Sequence, residues 1–191
     1  MSTPGNISDI DIDALILSAQ EGDKDAYGQV YDHFFEKIYR YVHFRVVPKE
    51  VEDIVENVFI KSWVNLEKYE KRDVSFGAWL FRIAHNAVID HRRAHRSILP
   101  IDPSMADKTV GNAPQKRTER SLMAEKIREE VDKLREPYKQ VITLKFLSGL
   151  SNSEIAEILG QTEGNIRVLQ FRALKELKIG LGEKGISAEF L

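Results

Sequence analysis

The stretch Phe76-Gly77-Ala78-Trp79-Leu80-Phe81-Arg82-Ile83-Ala84-His85-Asn86-Ala87-Val88-Ile89-Asp90-His91-Arg92-Arg93 decides how this chain folds. Wound as a helix at about 100° per residue, it divides into two faces. Trp79, Leu80, Ile83, Ala84, Ala87 and Val88 fall on one side, a core face. Arg82, His85, Asn86, Ile89, Arg92 and Arg93, continued by Arg96, fall on the other. That second face carries four arginines and no carboxylate, with Asp90 at its margin towards Trp79. One-sided positive charge on a rigid helix is what phosphate binding requires. An ordinary solvated face would carry counter-charges as well.

Working outward, apolar spacing predicts helices nearly throughout, and no segment alternates long enough to argue for a strand. A short helix over 10–21 places Ile12, Leu15 and Ile16 on one side and is broken by Gly22 and Asp23. A long helix follows over 25–47, with Tyr27, Val30, Tyr31, Phe34, Phe35, Ile38, Tyr41 and Val42 at helical spacing. Pro48 is expected to end it, because proline disfavours helical geometry in the residue before it. Residues 49–66 form the next helix on Val51, Ile54, Val55, Val58, Phe59 and Trp63, and a polar loop over 67–75 leads into the basic helix. From 97 to 117 the pattern dissolves among Pro100, Pro103, Gly111, Asn112 and Pro114, the composition of a flexible linker. Periodicity resumes at Thr118 with Leu122, Ile127, Val131 and Leu134, and Pro137 opens a helix over 138–147. The expectation is an all-α chain of two small helical domains, 1–96 and 118–182, joined by that linker and followed by a short tail, 183–191.

The chain has 191 residues, enough for one or two small cores. It has no cysteine, which excludes disulfides, thiol redox chemistry and cysteine-bound zinc. No apolar run approaches the roughly 20 residues needed to cross a bilayer. The start, Met1-Ser2-Thr3-Pro4-Gly5-Asn6-Ile7-Ser8-Asp9, lacks the basic and apolar parts of a secretory signal. A cytoplasmic protein with no membrane contact of its own is the expectation. Net charge is only −2, but it is unevenly spread. Asp9, Asp11, Asp13, Glu21, Asp23 and Asp25 make one acidic region and Glu50, Glu52, Asp53 and Glu56 a second; positive charge gathers at 82–96 and 167–178. Such polarity suits a protein that meets DNA on one surface and a basic protein partner on another.

Residues 150–177 have the punctuation of a helix-turn-helix. Ser151 and Glu154 are spaced as a capping box, Gly160 suits a left-handed helix end, and Thr162 can cap the second helix. Ile166, Leu169, Ala173, Leu174 and Leu177 face inward on that helix, whereas Asn165, Arg167, Val168, Phe171, Arg172 and Lys175 face outward. The motif lays the start of its second helix in the major groove, where arginine bonds guanine and apolar groups meet thymine methyls.

Two helical domains, a proline-bearing linker and a C-terminal helix-turn-helix resemble a bacterial RNA polymerase sigma factor of the extracytoplasmic-function (group IV) type, over nearly the whole chain. The segment around Asp53, Ile54, Glu56, Phe59 and Trp63 resembles the helix that docks on the polymerase β′ clamp helices, with Glu56 standing where the family often has glutamine. The 76–93 helix resembles the one that melts and reads the −10 element. The resemblance implies −10 DNA contacts for Tyr69, Arg72, Ser75, Trp79, Arg82, Asn86, Arg92 and Arg93, with a base flipped into the loop over 68–75. It implies −35 contacts for Asn165, Arg167, Val168, Phe171, Arg172 and Lys175. Val168 stands where a small polar residue is common, and Leu169 where arginine is common. The implied partners are core polymerase (β′ clamp helices and β flap), promoter DNA and an anti-sigma factor. The implied action is binding rather than catalysis, with stringent promoter choice and no cofactor or metal.

Three rivals remain open. A metal-dependent hydrolase would use His85, Asp90, His91 and His95, but His85 projects at a large angle from His91 and no HExxH arrangement exists. A polymerase-independent helix-turn-helix regulator would carry a receiver or ligand domain where this chain has its basic helix. A sigma mimic that titrates an anti-sigma factor would not need Arg82, Asn86 and the outward Arg167, Phe171 and Arg172.

Overall fold

A computed structural model describes residues 9–71, 75–98 and 119–183. Arg72, most of the expected linker, residues 184–191 of the tail, and the side chains of His95 and Arg96 lie outside the described residues. No strand occurs among them.

Four helices build the first half: α1 (Asp9–Gln20), α2 (Lys24–His43), α3 (Val51–Val64) and α4 (Phe76–Ile98). Asp23 starts α2, its carboxylate accepting from the N–H groups of Asp25 at 2.9 Å and Ala26 at 3.1 Å. Helix α2 stops at His43, short of the expected Val47. The N–H groups of Arg45 and Val46 both turn back to the Val42 carbonyl, and this tight turn sends the Arg45 side chain inward. Pro48 therefore opens a 3₁₀ turn (Pro48–Glu50) instead of terminating α2. After α3 a second 3₁₀ turn, Leu66–Lys68, replaces the beginning of the expected loop, and Leu66 and Tyr69 are buried. The Gln20 amide donates to the carbonyls of Leu66 at 2.9 Å and Tyr69 at 2.8 Å, fastening the end of α1 beneath that turn.

The core of this half is made by Val30, Phe34, Ile38, Tyr41 and Val42 of α2, Val55, Val58 and Phe59 of α3, and Phe76, Leu80, Phe81, Ala84 and Val88 of α4. Phe81 lies edge-on to Tyr41, with ring centroids 5.7 Å apart. Gly77 lets α4 begin against Phe34; a β-carbon there would stand 3.2 Å from the ring. Trp79 and Ile83, expected in the core, are only partly buried at its edge.

The second half contains α5 (Glu119–Lys133), α6 (Glu136–Ile142), α7 (Asn152–Leu159) and α8 (Glu163–Glu183). The helix expected over 138–147 is α6 continued by one wide π turn, Thr143–Leu147. Thr143 explains the change: its hydroxyl donates to the Lys139 carbonyl at 2.8 Å, and its own carbonyl accepts from the Ser148 N–H, five residues on, at 3.2 Å. The helix-turn-helix forms with both halves of its capping box on α7, and Gly160 is left-handed at φ 63°. Val131, Leu134, Tyr138, Ile142, Ala173 and Leu177 form a second core between α5, α6 and α8.

The two halves pack on each other. Helix α7 lies against α4 and the π turn against α2. Val141, Leu144, Leu150, Ile155, Ala156, Ile158 and Ile166 are continuous with the core of the first half. The proline-rich composition of the linker gave no sign of this closure.

Candidate nucleic-acid interface and docking groove

Helix α8 presents its outward residues together. Phe171 is 71% exposed and Val168 45%, and Asn165, Arg167, Arg172 and Lys175 are exposed beside them. Thr162 caps the helix by accepting the Asn165 N–H at 3.2 Å. Arg167 is held by Glu163, one turn back, at 3.0 Å. Two exposed apolar groups flanked by cations on one rigid face match what a base edge and its phosphates offer.

Helix α4 is different. Asn86 and Arg93 are exposed, but Arg82 and Arg92 meet carboxylates from the other half of the chain. Arg82 lies 3.3 Å from Glu157 of α7, and Arg92 lies 2.5 Å from Glu136 of α6. The counter-charges missing from the 76–93 segment are thus supplied from 136 and 157. Ser75 accepts the Ala78 N–H at 3.2 Å at the start of α4 and donates to Glu154 of α7 at 2.5 Å. Tyr69, expected on the DNA surface, is a core residue: its ring packs on Phe76 and Trp79, each at 5.3 Å. Burial, reinforced by the charge of Asp13, pushes its hydroxyl pKa up.

Glu136 also binds Arg45, whose side chain is completely buried. Burial alone would raise the Glu136 carboxyl, but the Arg92 hydrogen bond and the charges of Arg45 and Arg92 together hold it below its ordinary value. Beside this cluster, the buried Tyr41 hydroxyl, pushed up to about 12 chiefly by desolvation, lies 3.2 Å from His85 Nδ1. Burial and then the Arg45 charge lower the His85 pKa. His91 Nε2 stands 2.5 Å from Glu50. Two histidines of the hydrolase reading therefore have structural partners. Among the described residues no group of three or more His, Asp or Glu is placed to hold an ion. Neither Arg45 nor Glu136 was singled out from sequence; the only signal was an arginine inside the apolar run Phe44-Arg45-Val46-Val47.

The third surface is a groove of about 730 Å³ between α2 and α3. Tyr27, Tyr31, Phe35 and Tyr39 of α2 line one wall and Phe59 and Trp63 of α3 the other, with Glu52 and Glu56 at the rim. Tyr31 and Phe35, which share the helical spacing of the α2 core residues, are 36% and 37% exposed. Of the α3 residues singled out for docking, Asp53 and Glu56 are exposed, Phe59 is the buried floor of the groove, and Ile54 is buried in the core. Trp63 packs on Tyr27 with centroids 4.7 Å apart, and the Tyr27 hydroxyl donates to the Phe59 carbonyl at 2.8 Å.

Two family models match in order along the chain: Sigma-70 region 2 over residues 30–98 and Sigma-70 region 4 over 124–177. The sequence is similar to the ECF RNA polymerase sigma factor BldN of Streptomyces coelicolor, at 34% identity over 85% of this chain and 63% of that protein's length. It is similar to the ECF sigma factor SigM of Bacillus subtilis at 26% identity, covering 84% of this chain and 98% of SigM. In fold it is similar to CnrH, solved in complex with the cytosolic domain of CnrY, with a TM-score of 0.70 at 24% identity over 91% of this chain and 98% of that one. It is likewise similar to the sigma factor RpoE of Bartonella quintana, solved with the anti-sigma factor NepR, with a TM-score of 0.69 at 21% identity over 82% and 96%.

Proposed function

Because the chain belongs to the sigma-70 family, in its extracytoplasmic-function group, we propose that it binds core RNA polymerase and directs initiation at promoters whose −10 and −35 elements it reads. Sigma factors are non-catalytic initiation factors, and the roles assigned here are binding roles. The groove between α2 and α3, with Glu52 and Glu56 at its rim, takes the β′ clamp helices together with the exposed Asp53 of α3; acidic groups steer a basic partner and the aromatic floor holds it. The outward face of α8 reads duplex −35 DNA through Arg167, Val168, Phe171 and Arg172, with Asn165 and Lys175 on its phosphates. Helix α4 holds the −10 strand through Arg82, Asn86, Arg92 and Arg93. Extruding a base costs a few kcal/mol, so capturing it couples melting to sequence. Tyr69 and Trp79 act there by shaping the wall on which the strand lies.

The Bartonella RpoE was solved with an anti-sigma factor, which supports an anti-sigma factor as a partner of this chain also. Its place of action is the cytoplasm, where transcription occurs; no described helix is long and apolar enough to cross a membrane.

One observation carries this reading over that of a polymerase-independent regulator. The half of the chain that bears the basic helix also bears an open aromatic groove with an acidic rim, a surface for a protein partner. In vitro transcription with core polymerase on a promoter library tests it. Promoter-specific transcripts that disappear with Asn86→Ala or Arg172→Ala are expected. Sequence-specific binding to duplex DNA by the chain alone, with no transcripts on adding core, would assign it to the regulators instead.

A further inference from the structure

The outward face of α8 exposes two large apolar side chains side by side. Val168 is 45% exposed and Phe171 71%. Three residues apart on one helix, they are neighbours on a single stripe, about 4.5 Å apart along its axis. The same stripe begins at Gly164 and continues to Lys175. Nothing crowds Gly164: a β-carbon there would meet no atom within 4 Å. Glycine weakens a helix interior, and packing does not ask for it here. It leaves the leading end of the stripe low enough for a close approach from outside. Ile179, also exposed, lies about 12 Å beyond Phe171 along the axis, away from that leading end. The polar neighbours are partly engaged already. Arg167 is held by Glu163 at 3.0 Å, and the Asn165 amide donates to Gln161. Some of the hydrogen-bonding capacity of this face is thus taken up within α8 and the turn before it, while the apolar pair stands in solvent.

Base pairs offer one apolar group in the major groove, the C5-methyl of thymine. Cytosine presents the same group only when it is methylated at C5. Resting on the −35 reading of α8, we propose that Val168 and Phe171 form a methyl reader: they select a C5-methylated pyrimidine at two neighbouring base pairs, while Arg172 and Lys175 hold the duplex in register. Neighbouring pairs are 3.4 Å apart along the duplex, a spacing that two residues 4.5 Å apart on a tilted helix can match. Both side chains are suited to the task. Valine is stiff at χ1, and phenylalanine has few torsions to fix, so little freedom is lost on contact. Burying one methyl-sized group changes affinity about fourfold. Val168 stands where a small polar residue is common. A hydroxyl there could bond a polar base edge; valine leaves such an edge unpaired and favours the methyl, so the departure shifts which base is preferred.

The test uses the full chain and its preferred duplex, selected from a randomised pool. The duplex is remade with uracil in place of thymine, one position at a time, which deletes a methyl and leaves base pairing intact. Two neighbouring positions are expected at which uracil lowers affinity about fourfold each, and about fifteenfold together. At the same positions a 5-methylcytosine–guanine pair binds about fourfold more tightly than a cytosine–guanine pair, whatever its affinity relative to thymine. Val168→Ser and Phe171→Ala, both at exposed positions outside the cores, each abolish the methyl effect at one of the two positions and leave it at the other. Equal affinity for thymine and uracil duplexes overturns the proposal, as does a methyl effect that survives in both variants or a selected duplex with no pyrimidine at neighbouring pairs. A gain from 5-methylcytosine without a loss from uracil would also overturn it, since both changes move the same methyl. These titrations need no polymerase, so they separate the two ideas. A chain whose binding follows the methyls but which yields no transcripts with core loses the sigma reading alone. One that transcribes from specific promoters while ignoring the methyls loses the methyl reader alone.

Discussion

Helices α4 and α8 carry the same chemistry and present it in opposite ways. Both line up arginines on the side away from their core. On α8 Arg167 leans on Glu163 of its own helix, and Phe171 and Val168 stand open beside it. On α4 Arg82 and Arg92 are matched by carboxylates more than forty positions away in sequence. Unbalanced charge on a helix predicts what the helix can bind but not whether that face is free. The balance is reached through tertiary contact, in which these ion pairs flank an apolar core that the two halves share.

The largest effect is expected at Glu136. Glu136→Ala leaves the buried Arg45 cation without its partner. Breaking a buried pair costs up to about 3–5 kcal/mol, less here because Glu136 is a third exposed. The expected outcome is loss of the contact between the halves, seen as a lower midpoint for the first unfolding transition, with the α7–α8 unit keeping its own. On the other side of the comparison, Arg172→Ala removes a side chain that is already available. If it bonds a base bidentately, −35 duplex affinity falls about 5- to 150-fold, corresponding to 1–3 kcal/mol. Affinity for a single strand is unchanged. Titration of both DNAs against the variant checks this.

Acid should sharpen the contrast by acting on the contact alone. Arg128 of α5 donates to His43 Nε2, and to the His43 carbonyl at 2.9 Å. Burial and then the Arg128 charge lower the pKa of His43, outweighing Asp132. His85 is lowered in the same direction. Once the chain opens, each returns towards about 6.5. The open form therefore takes up protons first. The contact has its full strength above about pH 6.5 and weakens as pH falls below it. Glu136, held below the ordinary carboxylate value, adds a loss in the same direction at lower pH, as its own depressed pKa is crossed. Transfer efficiency between dyes at Lys61→Cys and Lys178→Cys, read from pH 8 to pH 5.5, isolates the histidine part, and the Glu136 part lies below that range; a flat profile would remove the histidines from the contact. The smallest effect belongs to Ser151→Ala. It deletes the α7 cap accepting the Glu154 N–H at 3.2 Å and costs about 1 kcal/mol of helix-turn-helix stability, measurable by denaturant titration.

What could be read from the residues was local. The capping box at Ser151 and Glu154, the left-handed Gly160 and the outward set on α8 depend on neighbours within a few positions, and all of these formed as expected. Helix ends were less legible. The end of α2 depends on where the Arg45 side chain goes, and its partner is 91 residues on. The π turn depends on Thr143 choosing its backbone bonds. Tyr31 and Phe35 have the periodicity of core residues, yet they wall a groove, because periodicity marks an apolar face without saying what covers it. Tyr69 erred the other way: a tyrosine in a polar loop is buried by Phe76 and Trp79, which arrive from the next helix.

The most direct measurement compares two affinities before and after core polymerase binds. Duplex −35 DNA and single-stranded −10 DNA are titrated separately against the free chain and against the chain on core, at one salt concentration. If α8 is open and α4 is masked, binding core raises affinity for the −10 strand by a much larger factor than for the −35 duplex. Equal factors for the two DNAs would contradict the account.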